Sequence, residues 1–340
     1  MLDIHDVDPH DEDALRNWYI ALHAGATADR PAALVTDWPT MRRRLRRDGP
    51  HHRWLAVAAV SAGRTVGALL VGLPLTENRT TIDIEIDVPP EHRCRGVGTA
   101  LWGRAVEIAA AERRTVAQRE IDVPAGHTTR SWPGTRFAER LGFTSKHVED
   151  HLALPLPADD GLLDRLAEAA AERAGEYRLT RWAGPCPEEH LAGFSRMLTA
   201  MSGDVPSGDL TRDQVVWDVE RIRARDSRLA ESYRELVAVA HDATGEPAGY
   251  SIIDVPHDDP ANVLQDDTFV FAAHRGHRLG TALKVANLRQ LARHRGDRHR
   301  LHTWTAKSNT AMQAVNARFG FRPVETTHAY ERTMPPADGG

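Results

Sequence analysis

Apolar and polar residues alternate cleanly between Thr81 and Val88, where Ile82, Ile84, Ile86 and Val88 interleave with Asp83, Glu85 and Asp87. A period of two predicts a strand with one apolar and one acidic face. Just before it, two β-rich runs over 53–61 and 64–73 flank the short turn Ala62-Gly63 and read as a hairpin. Helical spacing with Asp and Thr start signals predicts helices over 9–24 and 36–48, after a strand at 2–7. Beyond Val88 come a loop, a helix over 99–113, a strand at 118–123, a helix over 132–141 and closing strands across 143–154.

The same order then recurs. A strand is expected at 177–182, helices over 187–201 and 211–225, strands at 235–242, 248–255 and 268–271, a loop, a helix over 279–295, a strand at 300–305, a helix over 309–319 and strands to 334. Arg93 and Arg275 lie 182 residues apart, as do Gly98 and Gly280, and the pairs Gly142-Phe143 and Gly320-Phe321 lie 178 apart. A duplicated domain explains these offsets, and each copy is long enough for its own core. The expectation is an α/β class chain (α+β, mixed sheet) with domains at 1–155 and 177–335. Between them, 156–176 follows Leu154-Pro155-Leu156-Pro157 and carries an amphipathic linker helix, and 336–340 is a disordered tail.

Composition removes several function classes. With 41% hydrophobic and 27% charged residues the chain is of globular type, and no apolar run is long enough to span a bilayer, so no membrane partner is expected. The acidic start Met1-Leu2-Asp3-Ile4-His5-Asp6 does not resemble a secretion signal, which makes the cytoplasm the default location. A net charge of −5 argues against a nucleic-acid partner. The run Arg42-Arg43-Arg44-Leu45-Arg46-Arg47 reads as a solvated helix face, since arginine replaces lysine chain-wide. Cys94 and Cys186 have no ligand set around them, and His299 and His302 fall on a strand at a spacing that puts them on opposite faces, so no metal is expected.

Each repeat carries one candidate binding device. In the first, a strand ending at Val88 runs into Arg93-Cys94-Arg95-Gly96-Val97-Gly98-Thr99. In the second, one ending near Val270 runs into Arg275-Gly276-His277-Arg278-Leu279-Gly280-Thr281. Successive backbone amides in such a turn, reinforced by the positive end of the following helix, form a cradle for a pyrophosphate that needs no metal. The second copy has Arg278 where the first has Gly96, and a side chain tolerates positive φ poorly, so its turn is expected to differ.

These residues, with Leu141-Gly142-Phe143 and Phe319-Gly320-Phe321 downstream, resemble the signature of the GCN5-related N-acetyltransferase (GNAT) superfamily. In duplicate they are similar to tandem acetyltransferases of the mycothiol synthase kind. The resemblance implies two tandem GNAT domains that use acetyl-CoA as co-substrate. It also implies that Val88 and Val270 face the pantetheine and that Arg93 to Thr99 and Arg275 to Thr281 line the pyrophosphate, with Asn309 adding a side-chain contact. The family's tyrosine that protonates the departing thiolate is missing in both copies, where Ala138 and Asn316 stand in its place. Tyr330 or a water is left as the acid.

Acetyl transfer to an amine also needs a base. Asp83 and Glu85 are the candidates if the acidic face of their strand borders the cleft; if that face meets solvent, it is an ordinary polar face. The second repeat offers Asp266 and Asp267 ahead of its strand, with Tyr250 or Trp304 to shape a pocket. The reading is an acetyl-CoA-dependent N-acetyltransferase for a primary amine of a small molecule or peptide. One half, by preference the second, is catalytic and the other degenerate, in a monomer or homodimer. Left open are a non-catalytic acyl-CoA-binding protein and an enzyme with a longer acyl donor.

Overall fold

The computed structural model describes residues 1–334; the expected disordered tail at 336–340 lies outside the described residues. The chain forms two compact units. The first takes Met1–Val148, Ser207–Asp213 and the chain from Glu325 onward; the second takes Glu149–Pro206 and Gln214–Val324.

In the first unit the order is β1 (Leu2–Asp6), α1 (Glu12–Thr27), α2 (Trp38–Arg46), β2 (His52–Ser61), β3 (Arg64–Pro74), β4 (Thr81–Asp87), α3 (Val97–Ala111), β5 (Val116–Pro124) and α4 (Pro133–Arg140). Strands pair antiparallel in the order β1-β2-β3-β4, and β4 then pairs parallel with β5. The alternation on β4 is as expected: Ile82, Ile84 and Ile86 join the core beneath α3 and α4, while Asp83, Glu85 and Asp87 face the other way. On that other face Leu15, Trp18 and Leu22 of α1 and Met41 and Leu45 of α2 pack on Ala56, Ala58, Ala68 and Leu70. Burying side chains of this size stabilises by about 1.5–3 kcal/mol each relative to exposure.

In the second unit β6 (Thr144–Pro155) contributes its residues from Glu149. It is followed by α5 (Asp160–Ala174), β7 (Arg178–Ala183), α6 (Glu188–Asp204), α7 (Val219–Leu229), β8 (Tyr233–His241), β9 (Pro247–Pro256), β10 (Asn262–Val270), α8 (Leu279–Leu291), β11 (Arg300–Ala306) and α9 (Thr310–Phe319). The pairings β7-β8-β9-β10 are antiparallel and β10-β11 is parallel. Each unit thus has a mixed sheet with helices on both faces, the α/β class expected.

The closing strands are exchanged. The sequence suggests that each repeat ends on its own last strand, but β6 pairs with β11, from Glu149 opposite Ala306 to Pro155 opposite Arg300. The last strand, β12 (Arg322–Thr333), returns to pair with β5 from Glu325 opposite Pro124 to Thr333 opposite Val116. Both strands follow a Gly-Phe pair and alternate alike, and main-chain pairing does not discriminate between such equivalents.

Helix starts follow local chemistry. Asp11, Asp37, Asp159 and Asp218 cap α1, α2, α5 and α7 by accepting an amide from the first turn, an arrangement worth about 1 kcal/mol each. That cap also explains why the helix expected over 211–225 begins only at Val219. Residues 207–213 pack in the first unit instead: the Thr211 amide and hydroxyl donate to Glu331 at 2.7 and 2.9 Å, and Asn78 and Asp213 exchange bonds of 2.6 Å. Gly208 permits this approach, because at φ 58° a Cβ there would lie 2.2 Å from the Lys146 carbonyl oxygen. The basic run on α2 is tied down internally: Arg42 and Arg46 donate to Glu12, Arg44 lies over the Trp54 ring and Leu45 is buried.

Candidate active site

Both parallel strand pairs separate after a short contact. β4 and β5 match only at Thr81 with Val116, Ile82 with Ala117 and Asp83 with Gln118. β10 and β11 match only at Asn262 with Arg300, Val263 with Leu301 and Leu264 with His302. Past these points each pair splays and a cleft opens beside the strand that leads into the cradle.

The cradles are built alike. In the first, Arg93 N donates to Pro90 O and Ala100 N to Gly96 O, and among the described residues the amides of Cys94 to Thr99 between them meet no acceptor. In the second, Arg275 N donates to Ala272 O and Thr281 N to Arg278 O, and the same holds for Gly276 to Gly280. These amides sit at the starts of α3 and α8, where the helix dipole favours an anion, so the residues present fit the diphosphate of an acyl-CoA. The arginines turn elsewhere. Arg93 Nε donates to the Val88 carbonyl at 2.9 Å and Nη2 to Gly25 O at 3.3 Å; Arg275 Nε donates to the Val270 carbonyl at 3.0 Å and Nη2 to Asp204 at 2.5 Å. Each of these two guanidiniums braces its loop against the end of the preceding strand.

Arg278 does not alter the second turn. It adopts φ 56° where Gly96 has φ 84°, both left-handed, and α8 starts as α3 does. A left-handed non-glycine residue costs about 1–2 kcal/mol. Here the side chain is anchored, with Nη1 donating to the Ala169 carbonyl of α5 at 2.7 Å, while His277 contacts the Arg173 carbonyl at 3.3 Å.

Beside the first cleft, Asp83 lies 3.4 Å from His52, and Glu85 and Asp87 continue along β4. Burial, with Glu85 as a second cause, pushes Asp87 up to about 7 against the pull of Arg119, Arg30 and Arg93. Burial also raises Glu85, opposed by Arg44 and Arg119. Glu85 is nonetheless an exposed residue of β4. Across the same face Arg30 forms a fork: Nε and Nη2 donate to Glu325 at 2.8 Å, and Nη2 reaches Asp122 at 2.5 Å. This clamp ties the segment after α1 onto β5 and β12.

Tyr330 belongs to the first unit, on the opposite face of the sheet, beside Arg119 in register. Its hydroxyl donates to Glu139 at 3.3 Å, and burial first, then that carboxylate, raise it to about 12. Glu85, Asp83 and Tyr330 are therefore gathered in one unit, with Arg119 acting electrostatically on both Glu85 and Tyr330. Asn309 caps α9, its side-chain oxygen accepting from Met312 N at 3.1 Å.

The second cleft is wrought differently. β10 has a bulge between Gln265 and Thr268, a device that re-aims side chains and is frequent beside active sites. Buried Gln265 donates to Ile252 O at 2.5 Å, and Ser251 and Thr268 share a bond of 3.0 Å, so both ends of the bulge are pinned to β9. The bulged residues Asp266 and Asp267 project where the strands part. Asp266 is open to the cleft, yet burial among protein and the adjacent Asp267 push it up to about 7, against Arg225. Tyr250 donates to Asp267 at 3.2 Å. Trp304 stacks on His151 at 4.3 Å, and buried His302 meets His151 at 2.8 Å and Asn262 at 2.9 Å.

Sequence reasoning passed over Arg119, Arg30, Glu235, Asp254 and Arg225. Nothing local marks them; strand register and the helix crossing alone bring them to the clefts.

A splayed parallel pair and an amide cradle at a helix start thus recur in both mixed-sheet units of this chain. The model of the acetyltransferase (GNAT) family matches residues 13–143 and 207–321, and the chain belongs to that family, whose members are acyltransferases. A tandem GNAT protein from the clavulanic acid biosynthesis pathway, solved without AcCoA, is 27% identical, with 99% of this chain and 100% of that one covered at a TM-score of 0.81. A GCN5-related N-acetyltransferase from Sphaerobacter thermophilus shares the fold at 18% identity, with 98% and 96% covered and a TM-score of 0.65. No curated protein sequence matches the chain significantly.

Proposed function

We propose that the protein is an acetyl-CoA-dependent N-acetyltransferase for a primary amine of a small molecule, with the second unit catalytic. The observation that carries this is the braced bulge of β10, which sets Asp266, raised to about 7, at the mouth of the splay below the second cradle. A base with that affinity can remove a proton from the amine near neutral pH, directly or through one water, and typically contributes about 10²–10⁴ in rate. Holding thioester and amine together contributes on the order of 7–11 kcal/mol more. The first unit keeps a cradle but lacks the bulge, and Arg30 ties the segment after α1 onto β5 and β12; it serves as a binding or structural half.

A non-catalytic acyl-CoA-binding protein is the second reading. It draws support from Ala138 and Asn316 in the place of the thiolate's acid, Asn316 being buried and donating to Thr305 at 2.9 Å. Thiol release from acetyl-CoA across an amine panel decides between the two, and chain-length variants of the thioester decide the donor. For the transferase, Asp266→Asn lowers kcat/KM by about 10²–10⁴ and removes the limb of the pH profile that rises through about 7, since the base acts deprotonated. An unaltered profile in that variant would reject Asp266 as base.

A further inference from the structure

Next to Asp266 the second unit holds more negative charge than the proton transfer requires. Glu235 on β8 stands directly opposite Asp254 on β9, and Asp254 is in register with Leu264, two residues before Asp266 on β10. One cation faces this group: Arg225 of α7 donates to Glu235 and, at 3.0 Å, to Asp226. Asp226 and Glu235 together already exceed the single charge of that guanidinium. Asp254 and Asp266 feel that guanidinium only through space, with no hydrogen bond to it, and Asp267 lies beside them.

A second observation is independent of the charge count. Glu235 is only 3% exposed, and its second carboxylate oxygen, Oε2, has no hydrogen-bond partner; Asp254 Oδ1 is likewise buried and unpartnered. Buried carboxylate oxygens are ordinarily satisfied, because desolvating one without a donor costs roughly 1–3 kcal/mol or more. Two such oxygens on directly opposed residues mark a place for a donor that carries positive charge. A protonated amine nitrogen carries such donors together with the positive charge.

We propose that Glu235 and Asp254, beside the base Asp266, seat a second cationic centre of the acceptor, so that the substrate is a small di- or polycationic amine. The proposal rests on the transferase reading above for the identity of the reacting group, and chemistry supplies the step to a second nitrogen. The amine that attacks the thioester carbonyl must be neutral, having lost its proton toward Asp266. It cannot at the same time neutralise the carboxylates. That charge has to come from another nitrogen of the same molecule, which remains protonated and donates to Asp254 and Glu235. An α-carboxylate beside the reacting amine would meet Asp266 and Asp267 and be repelled, which disfavours amino acids.

Isothermal titration of the full-length protein saturated with CoA tests this, with 1,4-diaminobutane, n-butylamine and ornithine as probes. Diaminobutane is expected to bind at least about tenfold tighter than butylamine, with ornithine weaker than diaminobutane. Asp254→Asn and Glu235→Gln should each shrink the preference below about threefold while CoA binding, which reports folding, is retained. Equal affinities, absence of binding by all three amines, or a preference that survives both substitutions would overturn the proposal. If diaminobutane binds with the expected preference but is not acetylated from acetyl-CoA, the cation seat stands and the transferase reading falls. If amines are acetylated without regard to a second charge, the reverse holds.

Discussion

Glu235 and Asp254 face each other on adjacent antiparallel strands, each with one carboxylate oxygen that meets no donor. Burial raises both; Asp266 and Glu235 add to it at Asp254, and Asp226 and Asp266 add to it at Glu235, each against the pull of Arg225. A carboxyl raised in the folded state binds more protons folded than unfolded, so stability falls as pH climbs from the usual carboxylate range toward the raised value. Asp254→Asn removes this penalty. Its melting temperature should exceed the parent's at pH 8, by roughly 2–4 °C for each kcal/mol gained, and converge with it near pH 4. A difference independent of pH would show that the pair is not strained by charge.

Arg93 and Arg275 make the same brace in the two cradles. Arg93→Ala should remove one acetyl-CoA site in a calorimetric titration and leave turnover intact, whereas Arg275→Ala should remove the other together with turnover. Lysine should not restore either, since the bond to the strand carbonyl is made by Nε of a planar fork. Turnover lost through Arg93 and kept without Arg275 would move the catalytic assignment to the first unit.

Arg30 is the partner of Glu325, whose side chain is 1% exposed. Removing one member of a buried pair strands the other, at about 3–5 kcal/mol. Arg30→Ala should lose about that much in urea unfolding at pH 7. A loss under about 1 kcal/mol would mean that the clamp behaves as a surface pair.

Lys284 on α8 is 2% exposed and lies 5.5 Å from the Phe321 ring centre, and burial alone draws it down to about 7. The unfolded chain holds this proton up to its ordinary value of about 10.4, so the folded state is penalised below that pH, most fully at and below pH 7. Lys284→Met should stabilise by on the order of a few kcal/mol at pH 7, and the gain should fade toward pH 10. Thermal unfolding across that range reads it, and a gain that does not fade is inconsistent with a neutral buried amine.

The duplication, the order of elements and the two cradles were legible in the chain because they are written locally. Alternation sets a strand face, an aspartate sets a helix start, and a glycine at φ 84° sets the turn at Gly96. The alternating acidic residues Asp83, Glu85 and Asp87 were visible as a face, but what that face meets depended on Arg30, which comes from a distant segment to clamp Asp122 and Glu325. The turn at Arg278 was expected to change and did not, because a bond to the Ala169 carbonyl anchors a side chain that local sterics disfavour.

By itself, then, the sequence determined the family signature, the α/β class and the places where amides gather at a helix start, since each depends on residues within a few positions of one another. Only the tertiary structure decided which strand closes each sheet, where Tyr330 lies, and that Glu235, Asp254 and Asp266 form one group. Strand exchange is settled by main-chain pairing that is blind to side-chain identity. The carboxylate group arises from register across three strands and a bulge, and charges on separate strands interact only once folding has brought them within a few ångströms.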